Sequence, residues 1–131
     1  MKGFKIILAG SVLAFFGIAT AAEDPPQNHV DWMKKLGSQM GEIRKGNNVQ
    51  SNAEAMQAVV KEVGTFWSSR NSQIATENNQ KNLEAAKAIA EAAGKSDTAG
   101  VQAGVKLLGA SCKGCHDQHR EKISDTVYKI K

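Results

Sequence analysis

From Asn28 onward the apolar residues of this chain recur at steps of three and four, the spacing of helices that bury one face. The first run carries Val30, Met33, Leu36, Met40 and Ile43 and closes on Lys45-Gly46-Asn47-Asn48, a basic last turn and a left-handed stop. Asn28 is its expected cap, and Asp24-Pro25-Pro26 before it reads as an extended leader. A second helix, opened by Ser51 or Asn52 with Glu54 in its first turn, carries Met56, Val59, Val60, Val63, Phe66 and Trp67. Residues 68–76 are polar and read as a loop, with Ile74 either a plug into the core or an early residue of the next helix. The third helix is expected over 77–93, with Leu83, Ala86, Ile89, Ala90 and Ala93 inward, many alanines and Gly94 as its end. The fourth starts at Asp97 or Thr98 and carries Val101, Val105, Leu108, Cys112, Cys115, His119 and Ile123; Val127 and Ile130 are spaced to prolong it. No strand-like alternation or tandem repeat is apparent. Four helices of similar length with short connections predict an all-α fold, an antiparallel four-helix bundle. Gly37 and Gly41 in the first helix would let a bulky group or another helix approach its backbone closely.

The segment before this pattern has a different character. Lys2 and Lys5 precede an apolar run from Ile6 to Ile18, and Ala19-Thr20-Ala21 has the small-x-small form of a cleavage site. The run is short of the roughly 20 apolar residues a bilayer span needs, and no basic stop-transfer cluster follows. Residues 1–21 are therefore expected to be a cleaved signal peptide, cut after Ala21 or Ala22, with one domain of usual size over 22–131. An exported, periplasmic location follows. Removing Lys2 and Lys5 leaves 15 basic residues against 13 acidic, a net charge of +2, so the whole-chain pI of about 9.1 overstates the basicity of the mature protein. Basic residues are scattered without aromatic partners, and nucleic acid is not an expected ligand.

The two cysteines decide the chemistry. An exported pair usually forms a disulfide, yet Cys112 and Cys115 lie three residues apart and His116 follows directly. Cys112-Lys113-Gly114-Cys115-His116 is the c-type haem attachment sequence: two thiols spaced for the two vinyl groups, and a histidine delivered to the iron. A thioredoxin-type redox pair would need a strand before the helix, and a structural zinc site would need four ligands, where only His29 and His119 are further candidates. One covalent haem c, with His116 as iron ligand, is the expectation.

Residues 108–117, Leu-Gly-Ala-Ser-Cys-Lys-Gly-Cys-His-Asp, resemble the run into the haem site of the cytochrome c′ family. These are exported four-helix bundles with haem attached near the C-terminus of the last helix, and the helix order extends the resemblance over nearly the whole mature chain. The family often has an Ile-Trp pair where this chain has Ile74-Ala75, which implies a packing difference near the haem edge. The resemblance implies that Arg120 lies beside the proximal ligand as a cofactor-binding residue; a solvated helix-end charge is the other reading. It also implies that function turns on the sixth coordination site. In five-coordinate members an apolar first-helix residue admits only small gases; in low-spin members a methionine there binds the iron. The segment Met33 to Gly41 resembles that of the low-spin members, with Met33 at the ligand position.

Other readings stay open. Met33, Met40 and Met56 are also ordinary core-filling residues. His29, one turn before Met33 and where the family often has arginine, is either a rival ligand or an exposed residue near a helix start. His119 shares a helix face with His116 and cannot reach the opposite haem face. The leading expectation is a non-enzymatic, mono-haem electron carrier with iron on His116 and Met33, serving a redox partner protein that exposed Lys113 helps to dock. The alternative is an open site holding nitric oxide or carbon monoxide as scavenger or sensor. Family members often dimerise through their first two helices, which implies a homodimer, with Trp32 and Trp67 either serving there or packing on the haem.

Overall fold

The computed structural model describes residues 21–131; the expected signal peptide over 1–21 lies, but for Ala21, outside the described residues. Four helices follow in order: α1 (Gln27–Lys45), α2 (Val49–Ser69), α3 (Gln73–Gly94) and α4 (Thr98–His119). They form the four-helix bundle that the periodicity predicts. α3 packs against both α2 and α4, whereas α1 is held chiefly by α2. The core joins Ile43, Ala53, Met56, Val60, Ala85, Ala86, Ile89 and Leu108 from all four helices.

The helix ends differ from expectation by a few residues, each for a local reason. α1 begins on Pro26, whose fixed φ suits a helix start, while Asn28 lies inside the helix and accepts the His29 backbone N–H. α2 starts before Ser51, because Asn48 adopts a left-handed conformation that reverses the chain directly after Gly46. The connection between α2 and α3 shrinks to Arg70-Asn71-Ser72: Asn71 turns left-handed and the Ser72 hydroxyl caps α3 by accepting the Ala75 N–H at 3.2 Å. Asp97 caps α4 in the same way, from the Gly100 N–H at 2.9 Å. Lying between two helices, α3 buries a wider arc than one stripe, so Ala75, Ala85 and Ala92 are buried too, while Leu83 and Ala93 are only half-buried.

The largest departure follows α4. Instead of a prolonged helix, the chain forms an antiparallel hairpin of β1 (Arg120–Lys122) and β2 (Tyr128–Ile130). Ile130 exchanges two 2.8 Å backbone hydrogen bonds with Glu23 of the leader and is buried against Val63, Trp67 and Ala75. Ile123, placed by its spacing on the buried stripe, is 53% exposed at the hairpin turn. The leader before α1 and the C-terminal strand thus meet, and Arg70 and Lys129 also pair with Glu23 and Asp24 there.

The glycines show where helices touch. A Cβ on Gly104 would sit 2.5 Å from Cγ1 of fully buried Ile89, whereas Gly37 and Gly41 meet nothing within 4 Å, so neither receives another helix. Gly104→Ala is therefore expected to destabilise the bundle by about 1–2 kcal/mol, overpacking outweighing the roughly 1 kcal/mol gain in helix propensity. Gly41→Ala is expected to stabilise by up to ~1 kcal/mol. Urea denaturation of the two variants measures both signs.

Candidate haem-binding site

Because α1 rests mainly on α2, a cavity of about 1000 Å³ is left that reaches from α1 to α4 and the hairpin. Met33, Leu36 and Met40 line it from α1, Met56, Val60 and Val63 from α2, and Leu108, Cys112, Cys115 and His116 from α4. The attachment motif and the candidate ligand Met33 therefore share one chamber. Gly37 is also on its wall, which places the open space beside that glycine inside the cavity.

Cys112 and Cys115 are half-buried free thiols near the end of α4. Burial raises both; Cys115, next to Cys112, is pushed up to about 11, while the charge of Arg44 partly offsets the rise at Cys112. This is the reverse of a reactive redox pair, which is held as thiolate at a helix N-terminus. The Asn82 side chain approaches Cys112 Sγ at 3.5 Å and also receives the Ser111 hydroxyl. His116 is held below its usual pKa by burial and then by Arg120, with Asp117 opposing, so it stands neutral, the form that binds metals.

Two buried polar atoms on residues that line the cavity lack a hydrogen-bond partner among the described residues: Nδ1 of His29 and Oδ1 of Asn79. Leaving such a group unpaired costs about 1–3 kcal/mol. A polar occupant of the chamber would remove that cost. Thiols, a neutral histidine, apolar walls and unpaired polar atoms around a void of this size all suit a haem. The attachment run and the helix order now stand in one bundle around one chamber.

The chain belongs to the cytochrome c′ family. The family model described as Cytochrome C' matches residues 26–120, the whole bundle from the start of α1 to the end of α4. The cytochrome c′ of Pararhodospirillum photometricum is 49% identical over 41 residues, which cover 31% of this chain and 33% of that protein. No solved structure matches. Proteins of the cytochrome c′ family carry a covalently attached haem c, and Cys112, Cys115 and His116 are the residues here that would hold it.

Within this cytochrome c′ bundle the remaining candidates separate. His29 is not exposed: it is 7% accessible, caged by Phe66 at 4.7 Å and by Trp32 and Trp67 at 6.2 and 5.9 Å between ring centroids. Burial, then Arg70 and His116, lowers its pKa. His119 is engaged elsewhere, with Nδ1 3.2 Å from the Lys131 carbonyl, Nε2 2.7 Å from the Ser72 hydroxyl and its ring 4.5 Å from Trp67. Nδ1 donates to the carbonyl, so Nε2 accepts from Ser72. Trp67 is buried on the cavity wall and offers no surface to a second copy, while Trp32 is half-buried. Ala75, in the place of the family's frequent tryptophan, is fully buried in the same cluster as Trp67, which brings an indole there from α2. Arg120 opens β1, lines the cavity and lays its guanidinium 3.5 Å over the Tyr128 ring. Tyr128 and the polar pair Asn79 and Asn82 are site residues that helical periodicity overlooks, and Ile130, which the periodicity places on α4, reaches the site from β2 instead. The turn-forming run Ser124-Asp125-Thr126 ahead of the β-favouring Val127, Tyr128 and Ile130 is the signal that points to the hairpin.

Proposed function

We propose that this protein is a periplasmic mono-haem electron carrier, not an enzyme, whose iron is held by His116 and Met33. The observation that carries the reading is that Met33 from α1 and neutral His116 from α4 line the same chamber. When bound, the haem would supply a one-electron couple, with His116 and Met33 as the residues that would hold its iron, a ligand set that raises the potential. Cys112 and Cys115 would hold the group to α4, while Leu36, Met56, Val60 and Leu108 would exclude water around it. A thioether fixed on a helix of the bundle moves little when the charge changes, which suits fast transfer. Family members are typically periplasmic, which supports an export role for residues 1–21.

A second reading is an open iron that binds nitric oxide or carbon monoxide as scavenger or sensor. The family's gas binding supports it, and so does the unpaired His29 nitrogen, which can hydrogen-bond a small ligand. The optical spectrum of the purified holoprotein separates the two. A sulfur-to-iron charge-transfer band with a low-spin ferrous haem is the expected result. High-spin ferrous haem that takes up carbon monoxide would move the function to gas binding, and low-spin haem without the sulfur band would make His29 the ligand.

A further inference from the structure

The charged side chains that line the chamber are all basic: Lys34 and Arg44 from α1, Lys113 from α4, Arg120 from β1 and Lys129 from β2. Four of them are exposed, so the chamber opens to solvent between cations. Lys113 pairs with Asp117 at 2.5 Å and Lys129 with Asp24 at 3.5 Å; among the described residues Lys34, Arg44 and Arg120 have no carboxylate partner. The exposed acids of α2 and α3, Glu54, Glu62, Glu77, Glu84 and Glu91, line no part of it.

The same mouth carries an apolar contact. Val127, 45% exposed, is on the lining, and Ile123 across the turn is 53% exposed. Their backbones are joined at 2.9 Å, Ile123 N–H to the Val127 carbonyl, so the two side chains belong to one hairpin tip. Lys122, paired with Asp125 at 2.9 Å, and Lys129 flank it, with Glu121 exposed on β1. Apolar groups set among an excess of cations suit a transient protein contact: the charge steers the encounter and the apolar tip excludes water once it forms.

We propose that this face, formed by the hairpin tip and the basic side chains of α1 and α4, docks the acidic surface of a redox partner protein. The inference rests on the electron-carrier reading and adds where the partner sits and what charge it bears. The partner reaches the mouth of the haem chamber directly, with α2 and α3 turned away from it.

An acidic flavodoxin in its hydroquinone state is a suitable probe, mixed with the oxidised holoprotein. Haem reduction at low salt is expected to slow about tenfold or more as salt rises. Lys34→Glu with Arg44→Glu is expected to slow it about tenfold at low salt, beyond the change that its measured reduction potential accounts for, and Lys81→Glu with Lys87→Glu on α3 to leave it unchanged. Val127→Ser should slow it while keeping the salt dependence. Amide line broadening in the complex should map to residues 120–130 and the exposed face of α1. A rate insensitive to salt, equal loss in the α3 variant, or broadening on α2 and α3 would overturn the proposal. So would self-association through this face, or preferred binding to phosphatidylglycerol vesicles that the α1 variant abolishes. Binding at this face without haem reduction would uphold the docking surface and overturn the electron-carrier reading.

Discussion

Cys112→Ala with Cys115→Ala is expected to abolish covalent haem and loosen one side of the bundle. In the native holoprotein all haem should stay with the chain through acid–organic extraction; in the double variant essentially none should. Even with haem bound only through axial ligands, the two thioethers no longer tie it to α4. The structural consequence follows from the packing. α1 is joined chiefly to α2, and its inner face of Met33, Leu36 and Met40 looks into a void of about 1000 Å³. Without a filled chamber that apolar face gains little from staying docked, whereas α3 keeps the buried contacts of Ala85, Ala86 and Ile89 on both sides. The free energy of local opening therefore falls most in α1. Hydrogen exchange on the haem-free variant is expected to be about 100-fold or more faster in α1 than in α3. Uniform exchange across the four helices would show that the bundle holds α1 without a cofactor.

The same division explains what was legible in the sequence. Helix faces were legible because a three-four step reports burial directly; Ile43, Met56, Val60, Ile89 and Leu108 are all core residues. The attachment run was legible because its chemistry lies in five adjacent residues. The hairpin was hidden because Cys115, His119, Ile123, Val127 and Ile130 continue the helical step, and what ends the helix is long-range. Ile130 pairs with Glu23, more than 100 residues away, and no local spacing reports such a partner. Of the two readings of His29, rival ligand or exposed helix-start residue, the exposed one fails for a related reason. A histidine in the first turn of a helix is usually wet, but here Phe66 and Trp67 of α2 cover it. The cavity itself is absent from any one helix's pattern, since it is a gap between α1 and α4 that residues of several elements line together.

Met33→Leu is expected to turn a low-spin ferrous haem fully high-spin, erase the sulfur-to-iron band and admit carbon monoxide. Leucine fills nearly the same volume, so the fold should lose less than about 1.5 kcal/mol. That separation of effects gives the experiment its force. If Met33 only packs the chamber wall, as methionines commonly do, the substitution leaves both spectrum and stability nearly unchanged. If it is the ligand, the spectrum changes completely while stability hardly moves. Met40→Leu is the matching control, because Met40 lines the same chamber two turns along α1 and packs against the core of Ile43 and Met56. It should retain the band. A high-spin Met40 variant beside an unchanged Met33 variant would shift the ligand by two turns. Loss of the native spectrum only on His29→Ala would instead put the caged imidazole on the iron, at the expense of the thioether and the higher potential it confers.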